Sequence, residues 1–254
     1  MKKSIWSVEK IIELEDSFFK KEDFLIKLQK DFVGEKGDVR DIIIKSSKSN
    51  REIGISIKHN NYSIKHSCIS QNSIFCINWF NNKCSETYTK EIEEFFKNIE
   101  LKKSIYIKWN QIPKIEKNSL YVQLLEIFKS EIIRQFLLNN SILRHLLEYL
   151  IGKNNFYKCI VFKNKSIVQF FNLKEIYESS LDQKNTIYKD FFPTKILNFH
   201  LKENSNNTLI LSLNNNWSFS FRIHNASSEI QKSLKFDIKL LTMPEKIMSI
   251  FILH

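Results

Sequence analysis

The segment Glu52–Lys58 constrains the fold of this chain more than any other part of the sequence. Isoleucine occupies every second position, and the positions between carry Glu52, Gly54, Ser56 and Lys58. Because successive side chains of a β-strand point to opposite faces of the sheet, the segment predicts a strand with one apolar and one polar face. The polar face is a candidate for chemistry, although a half-exposed hairpin with a charged solvent face shows the same alternation.

A second strand is predicted just before this segment. Asp41 precedes three isoleucines at positions 42 to 44, a β-branched run typical of a short buried strand, and the polar residues at 45 to 51 supply a hairpin loop. Lys58 follows Asp41 by 17 residues, a separation typical of two neighbouring strands joined by a short loop. Phosphodiester hydrolysis needs a carboxylate that holds a divalent ion and a lysine close to it, so this pair is the first candidate site.

The remaining pattern predicts helices and then strands. Apolar residues at three- and four-residue spacing predict a helix over 7–19 that continues, after a break, through 24–32. Longer helices are predicted over 85–99 and 119–151. Further strands are predicted at 157–162, 166–171, 208–213 and 217–223. The chain is therefore expected to be an α/β protein with a helical middle region and a strand-rich C-terminal part.

Composition and charge narrow the class of protein. The 254 residues include 43% hydrophobic residues, enough to bury a core, and we expect a single domain over 1–254. A net charge of +11 favours a polyanionic partner such as nucleic acid. No apolar run is long enough to span a membrane and no signal peptide is recognisable, so a cytoplasmic protein without membrane contact is expected. The four cysteines are irregularly spaced, which favours free, reduced thiols.

Several short strings, in a consistent order along most of the chain, together resemble one family. They are GDVRDIII (37–44), EIGISIKHNN (52–61), IKHSCIS (64–70), EYLIGKNNFYK (148–158) and FSFRIHNASSEIQKSLKFDIKL (219–240). Each is short, but in combination they resemble the HaeIII-type type II restriction endonucleases. That resemblance implies a restriction-endonuclease-like core of the PD-(D/E)xK superfamily, with a mixed central β-sheet flanked by helices.

The resemblance also implies an activity and partners. The expected reaction is Mg²⁺-dependent cleavage of double-stranded DNA at GGCC in a bacterial cytoplasm, with a cytosine methyltransferase as the genetic partner that protects the host. A homodimer is expected because two-fold symmetric DNA requires two cuts. Two alternatives stay open. One is a DNA-binding protein that retains the scaffold without cutting, and the other is a repair nuclease without sequence preference.

The family motif maps onto the two predicted strands with one departure. Asp41 takes the role of the metal-binding aspartate, with Asp38 as the second choice, and Lys58 takes the role of the catalytic lysine. Ser56 stands where the middle acid of the motif should be. The resemblance therefore implies a site of Asp41, Ser56 and Lys58 in which another carboxylate replaces the absent acid.

Two glutamates are candidates for that replacement. Glu15 falls within the apolar stripe of the first helix, so its carboxylate is aimed along the buried face. Glu52 shares the face of Ser56 but lies roughly 13 Å from it, at about 3.3 Å per residue, so Glu15 ranks slightly higher. In the alternative interpretation, Glu15 reaches water from the edge of the stripe. Asp38 and Glu52 would then pair with Arg40 or Arg51.

Two segments are candidates for DNA contact. The first is a polar and basic run beyond the predicted lysine, which would otherwise be a solvated loop: His59, Asn60, Asn61, Lys65 and His66. The second is the end of a late strand, with Arg222, His224 and Asn225. Arginine suits guanine and asparagine suits adenine, so Arg222 is the better candidate for reading GGCC. Its alternative is an ion pair with a glutamate such as Glu229.

Overall fold

A computed structural model describes most of the chain, and the chain divides into two compact units. The first unit comprises residues 1–62, 151–191 and 244–254, and the second comprises 63–150 and 192–243. The prediction of one domain over 1–254 is not tested by this division. In the ranges covered, no helix combines the length and apolarity needed to cross a membrane. The described residues are 2–21, 23–29, 38–49, 51–60, 62–72, 75–173, 191–225 and 227–253.

The described elements are six α-helices, a 3₁₀ turn at Trp109–Gln111 and eleven β-strands. The helices are α1 (Lys2–Leu14), α2 (Asp16–Lys21), α3 (Phe75–Phe80), α4 (Glu86–Ile105), α5 (Lys114–Leu138) and α6 (Ile142–Ile151). The strands are β1 (Phe24–Leu28), β2 (Ile42–Ser46), β3 (Glu52–His59), β4 (Ser63–Ser70), β5 (Phe156–Val161), β6 (Lys165–Phe171), β7 (Ile196–Leu201), β8 (Thr208–Leu213), β9 (Ser218–His224), β10 (Ser233–Thr242) and β11 (Met248–Leu253).

The first unit is built on a six-stranded mixed sheet. Its strand order is β1-β2-β3-β5-β6-β11, and the β3–β5 pair is parallel while the other pairs are antiparallel. One face of this sheet carries Ile53 and Ile55, which belong to a buried apolar cluster with Ile11 and Phe18 of the two N-terminal helices. The opposite face of β3 carries the alternate residues, including Ser56 and Lys58.

The second unit combines helices with a five-stranded antiparallel sheet. Its strand order is β4-β10-β9-β8-β7. Aromatic side chains fill the core, and the ring of Phe128 on α5 lies 4.7 Å from that of Phe236 and 5.5 Å from that of Phe221. One face of the sheet therefore packs inward, and the alternate side chains of β9 and β10 form the other face.

These elements confirm the predicted fold class and most of the predicted elements. The hairpin of β2 and β3, the long helices and the four later strands all lie close to their predicted positions. The predicted helix over 24–32 is wrong at Phe24–Leu28, which forms an edge strand paired with β2. The spacing of apolar residues within a segment does not reveal whether another strand pairs with it. Residues 30–32 of the predicted helix lie outside the described residues. Strands β4, β7, β10 and β11 were not predicted.

Gly54 is required because Arg40 lies directly over its backbone. A Cβ atom at this position would overlap Arg40 Cδ and Cγ and would come within 2.9 Å of the Asn155 carbonyl oxygen. Arg40 is itself buried and bonded, so it cannot swing away without breaking its ion pairs with Asp38 and Glu52. The glycine therefore makes room for a buried arginine.

We predict that Gly54→Ala destabilises the protein by about 1–3 kcal/mol, because the added methyl group displaces Arg40. Urea unfolding of the wild type and the variant measures the difference. The same substitution in an Arg40→Ala background serves as the control and should cost much less. An equal cost in both backgrounds would contradict the explanation.

Candidate active site

Asp41 and Lys58 lie together at the edge of the polar face. Asp41 Oδ2 accepts hydrogen bonds from the Ile57 backbone N–H at 2.6 Å and from Ser56 Oγ at 3.1 Å. Lys58 Nζ lies 4.0 Å from the same oxygen, and the Asp41 side chain is 45% exposed. Within the described part of the chain, no hydrogen bond or ion pair reaches Asp41 Oδ1. The carboxylate is thus held in place through one oxygen while the other is available to a ligand.

A polar row crosses the sheet at the level of Ser56. Asp41 donates its backbone N–H to the Ile55 carbonyl, which places its side chain beside Ser56. Ser56 is in register with Lys158 on β5, and Lys158 is in register with Gln169 on β6. Gln169 Nε2 then donates to Ser249 Oγ on β11 at 3.3 Å. A serine therefore occupies the place of the expected acid and has a lysine as its direct neighbour.

Lys158 is a functional candidate that sequence reasoning missed. It is 3% exposed on a strand whose six residues are all buried, and its Nζ donates to the Tyr62 carbonyl oxygen at 3.3 Å. Burial, together with repulsion from Lys58, lowers the pKa of Lys158 to about 8. The available signal was a lysine within the apolar run FYKCIV. The sequence alone could not identify its neighbour across a parallel strand pair.

Glu15 lies on the other face of the sheet. Its Oε2 accepts from Arg51 NH2 at 2.7 Å and its Oε1 accepts from the Tyr157 hydroxyl at 2.7 Å. Burial and the adjacent Glu15 raise the pKa of Tyr157. Tyr157 precedes Lys158 on β5, so the two side chains point to opposite faces. The carboxylate of Glu15 follows the buried face as expected, but the structure does not bring it to Asp41.

Asp38 and Glu52 form a closed ionic cluster around Arg40. The guanidinium donates from Nε and NH2 to the two oxygens of Asp38 and from NH1 to Glu52 Oε1, each at 2.7 Å. Burial tends to raise the pKa of Asp38, but the hydrogen bonds from Arg40 outweigh it and lower the pKa. This arrangement matches the alternative in which these acids pair with a nearby arginine. Their roles as metal ligands stay predictions.

The residues of the first predicted DNA-contact segment differ in their exposure. His59 ends β3 in an exposed position, and Asn60 adopts a positive φ of 53° while its N–H donates to the Val161 carbonyl. Asn61 lies outside the described residues. Lys65 lies in β4, where it is buried and donates to the Tyr149 carbonyl oxygen at 3.0 Å, whereas the neighbouring His66 is exposed. Of Lys65 and His66, only His66 is therefore exposed for contact with a ligand.

Arg222, from the second predicted DNA-contact segment, lies on the same face of the second unit's sheet as His66. Arg222 on β9 is in register with Asp237 on β10, and Asp237 is in register with His66 on β4. His66 Nδ1 lies 3.8 Å from Asp237 Oδ1. Arg222 is exposed, and no ion pair with Glu229 or another acid is found in the described residues. Sequence reasoning named Arg222 and His66 separately but missed Asp237 between them.

His224 and Asn225 differ in their availability. Burial lowers the pKa of His224, and the charge of Arg222 adds to the effect, so both favour the neutral imidazole. Asn225 is engaged within its own unit, where its Nδ2 donates to the Ser227 carbonyl oxygen at 2.6 Å and its Oδ1 accepts from the Tyr121 hydroxyl. Arg222 and His224 therefore share the open face, while the Asn225 amide is already occupied.

Another group of potential ligands, in the second unit, is structural. Cys76 and Cys84 form a disulfide, so the expectation that all four cysteines are free was wrong for this pair, which the fold brings to a Cα separation of 5.2 Å. The buried carboxylate of Glu131 lies beside them and has no capacity left for a metal ion. It accepts from the Ser85 N–H and Oγ, Arg134 NH1 and Gln135 Nε2 at 2.5–2.7 Å.

Comparisons with known proteins identify the family of this chain. The family model of the HaeIII restriction endonuclease matches residues 1–244, so the chain belongs to that family. Its class is therefore that of a type II site-specific deoxyribonuclease, as the sequence strings predicted. The type II restriction enzyme HaeIII of Haemophilus aegyptius is 40% identical over 228 residues, which cover 87% of this chain and 71% of that relative.

We predict that Lys158→Met raises the free energy of unfolding at about pH 7, on the order of 2–3 kcal/mol, because it removes a buried charge. The folded pKa of about 8 lies below the ordinary 10.5, so the unfolded chain binds more protons between these values. The free energy of unfolding of the wild type therefore rises with pH through this window, and the variant lacks this rise. Urea unfolding across the window tests both effects.

Lys165→Met, on the neighbouring strand β6, is the matched control because it removes an exposed lysine of the same unit. Its stability should follow the wild type at each pH. A methionine variant of Lys158 that is less stable than the wild type near pH 7 would contradict the prediction.

Proposed function

We propose that this enzyme hydrolyses both strands of DNA at GGCC and uses Mg²⁺ held at Asp41. The observation that supports this most strongly is the pair of Asp41, with an open carboxylate oxygen, and Lys58, 4.0 Å from its other oxygen. The GGCC target comes from the resemblance to the HaeIII-type enzymes. Asp41 directly precedes β2 and Lys58 lies on the adjacent strand β3, so the pairing of these strands supports their proximity.

The residues of the site have distinct tasks. Asp41 is oriented by the Ile57 N–H and the Ser56 hydroxyl, so its free oxygen keeps one direction. Lys58 lies near enough to Asp41 to orient an attacking water and to neutralise charge on the phosphate. When bound, Mg²⁺ activates water and stabilises the charge that develops on the phosphoryl oxygens. Ser56 does not replace the missing acid as a ligand but fixes the acid that remains.

A single open carboxylate fits this ion. Magnesium usually keeps several waters and is held by one or two carboxylates together with substrate phosphates. Asp41 can supply the protein ligand, and the scissile phosphate can supply another. Glu15 and Glu52 are not needed for this arrangement, and both already accept hydrogen bonds from arginines at 2.7 Å.

The exposed face of β4, β9 and β10 is our candidate for reading the DNA sequence. Arg222 can donate two hydrogen bonds to guanine, and Asp237 beside it can accept from cytosine N4. Lys235 and Lys239 lie on the same face of β10 and can contact phosphates. His66 completes the row across the three strands.

Two further parts of the proposal concern partners. Because GGCC reads identically on both strands, we propose that two copies of the chain act together, one on each strand. A cytosine methyltransferase that modifies the same sequence is the proposed genetic partner. Both follow from the target sequence and the resemblance to the family.

We predict that the purified protein with Mg²⁺ cuts plasmid DNA into a discrete set of GGCC fragments. Asp41→Asn and Lys58→Ala should lower the cleavage rate by about 10²–10⁴-fold while DNA binding persists. Glu15→Gln is the control: cleavage should stay within about threefold, and stability should fall by about 1 kcal/mol. Cleavage rates on a GGCC plasmid measure the effect.

Each other pattern of cleavage has a separate meaning. Retained but uncut DNA would support the non-cutting alternative, and a smear of fragments would support a nuclease without sequence preference. Normal cleavage by Lys58→Ala would refute the proposed site. Loss of cleavage by a folded Glu15→Gln variant would support Glu15 as a metal ligand.

We predict that Arg222→Ala reduces the preference for GGCC over a one-base variant by roughly 10- to 100-fold, because it removes the guanine contact. Binding titrations with both duplexes at fixed salt measure this ratio. Lys235→Ala, on the same face, should weaken binding to both duplexes similarly. An equal loss on both duplexes for Arg222→Ala would assign Arg222 to phosphate contact or structure.

A further inference from the structure

Lys158 is a buried cation without a matching anion. Its strand is otherwise suited to a sheet interior, and the contact found for its ammonium is the Tyr62 carbonyl oxygen at 3.3 Å. No carboxylate pairs with it anywhere in the described ranges. Burial of an unpaired ammonium is unfavourable, and a methionine of similar length would fill this space without a charge. The charge itself therefore requires an explanation.

The register of the sheet places this charge where the family motif has an acid. Ser56 takes the position of the middle acid, and Lys158 is its in-register neighbour on β5. The site that contains Asp41 thus has one carboxylate and two ammonium groups. The motif of two acids and one lysine would have an excess of negative charge, whereas this site has an excess of positive charge. A divalent cation is attracted to the first arrangement and repelled by the second.

We propose that Lys158 is a positioning residue that makes metal binding depend on DNA. Its ammonium, together with Lys58, opposes entry of a divalent cation into the free protein, and the scissile phosphate supplies the missing negative charge. This inference rests on the proposed nuclease function of Asp41 and Lys58. The metal and the DNA then bind cooperatively, because each improves the electrostatic environment of the other.

Other contacts of the first unit are consistent with this role. Lys158 holds the carbonyl of Tyr62, and the Asn60 N–H donates to the Val161 carbonyl at the end of β5. The ring of Tyr62 lies 5.0 Å from that of Phe162. Asn60 and Tyr62, which follow Lys58, therefore contact β5 at two points and Phe162, just after β5, at a third. Lys158 joins the segment after the catalytic lysine to the strand that faces Ser56.

The test measures Mn²⁺ affinity by titration calorimetry, with and without an uncleavable GGCC duplex, for wild type and Lys158→Met. Without DNA, the variant should bind Mn²⁺ about tenfold or more tightly than the wild type, because one repelling charge is removed. With DNA, both proteins should bind Mn²⁺ more tightly than without it, because the phosphate adds a negative ligand. The variant should also bind the duplex more weakly in the absence of metal and cleave more slowly with Mg²⁺.

Two further variants keep the result interpretable. Lys158→Gln is neutral but can still donate to the Tyr62 carbonyl, so it should bind Mn²⁺ as Lys158→Met does. Lys165→Met removes an exposed lysine from the adjacent strand and should leave the metal affinity as in the wild type. Failure of both Lys158 variants to fold would overturn the proposal, since it requires that the charge is retained for function and not for stability.

The outcomes separate this inference from the nuclease proposal. Unchanged or weaker Mn²⁺ binding by the Lys158 variants without DNA overturns the role of Lys158, whatever the cleavage result. Wild-type protein that does not cut GGCC DNA overturns the proposed function instead. Wild-type cleavage, together with tighter Mn²⁺ binding without DNA and weaker duplex binding without metal in both neutral variants, supports the inference.

Discussion

The antiparallel pairing of β2 with β3 is the interaction on which the candidate site depends. Ile42 is in register with Ile55, so Asp41 reaches Ser56 and the backbone N–H of Ile57. A shift of one residue in this register would turn the alternate side chains of β3 to the other face. The buried isoleucines on the opposite face oppose such a shift, because they would then leave the apolar cluster. The packing of the core thus fixes the geometry of the polar face.

The acids on the two faces of the sheet have different partners. On the helix-covered face, Glu15 is held by Arg51 and Tyr157. On the other face, Arg40 occupies both oxygens of Asp38 and one oxygen of Glu52. These pairings neutralise acids that would otherwise compete for a cation. Asp41 is different because its hydrogen-bond donors are the Ser56 hydroxyl and the Ile57 N–H, and neither is an arginine.

Local and nonlocal contacts account for what the sequence could and could not predict. The hairpin that carries Asp41 and Lys58 was predictable because its strands are joined by a short loop and follow a two-residue period. Lys158 was not, because it meets Ser56 through a parallel pair whose strands are about a hundred residues apart. Asp237 was missed for the same reason, since it joins β4 to β9 through β10. Glu15 lies on the face opposite Asp41 because its partner Tyr157 and Lys158 point to opposite faces of β5. Residue spacing within the first helix cannot reveal this.

The central claim is that Asp41, and no acid on the opposite face, holds the metal at the scissile phosphate. A crystal structure of the Lys58→Ala variant with GGCC DNA and Mn²⁺ tests it directly, because anomalous scattering locates the ion. The account predicts a peak within direct coordination distance of Asp41 Oδ1, on the face that carries Ser56 and Lys158, with a DNA phosphate oxygen also bound. A peak at Glu15, beside Tyr157, would contradict it.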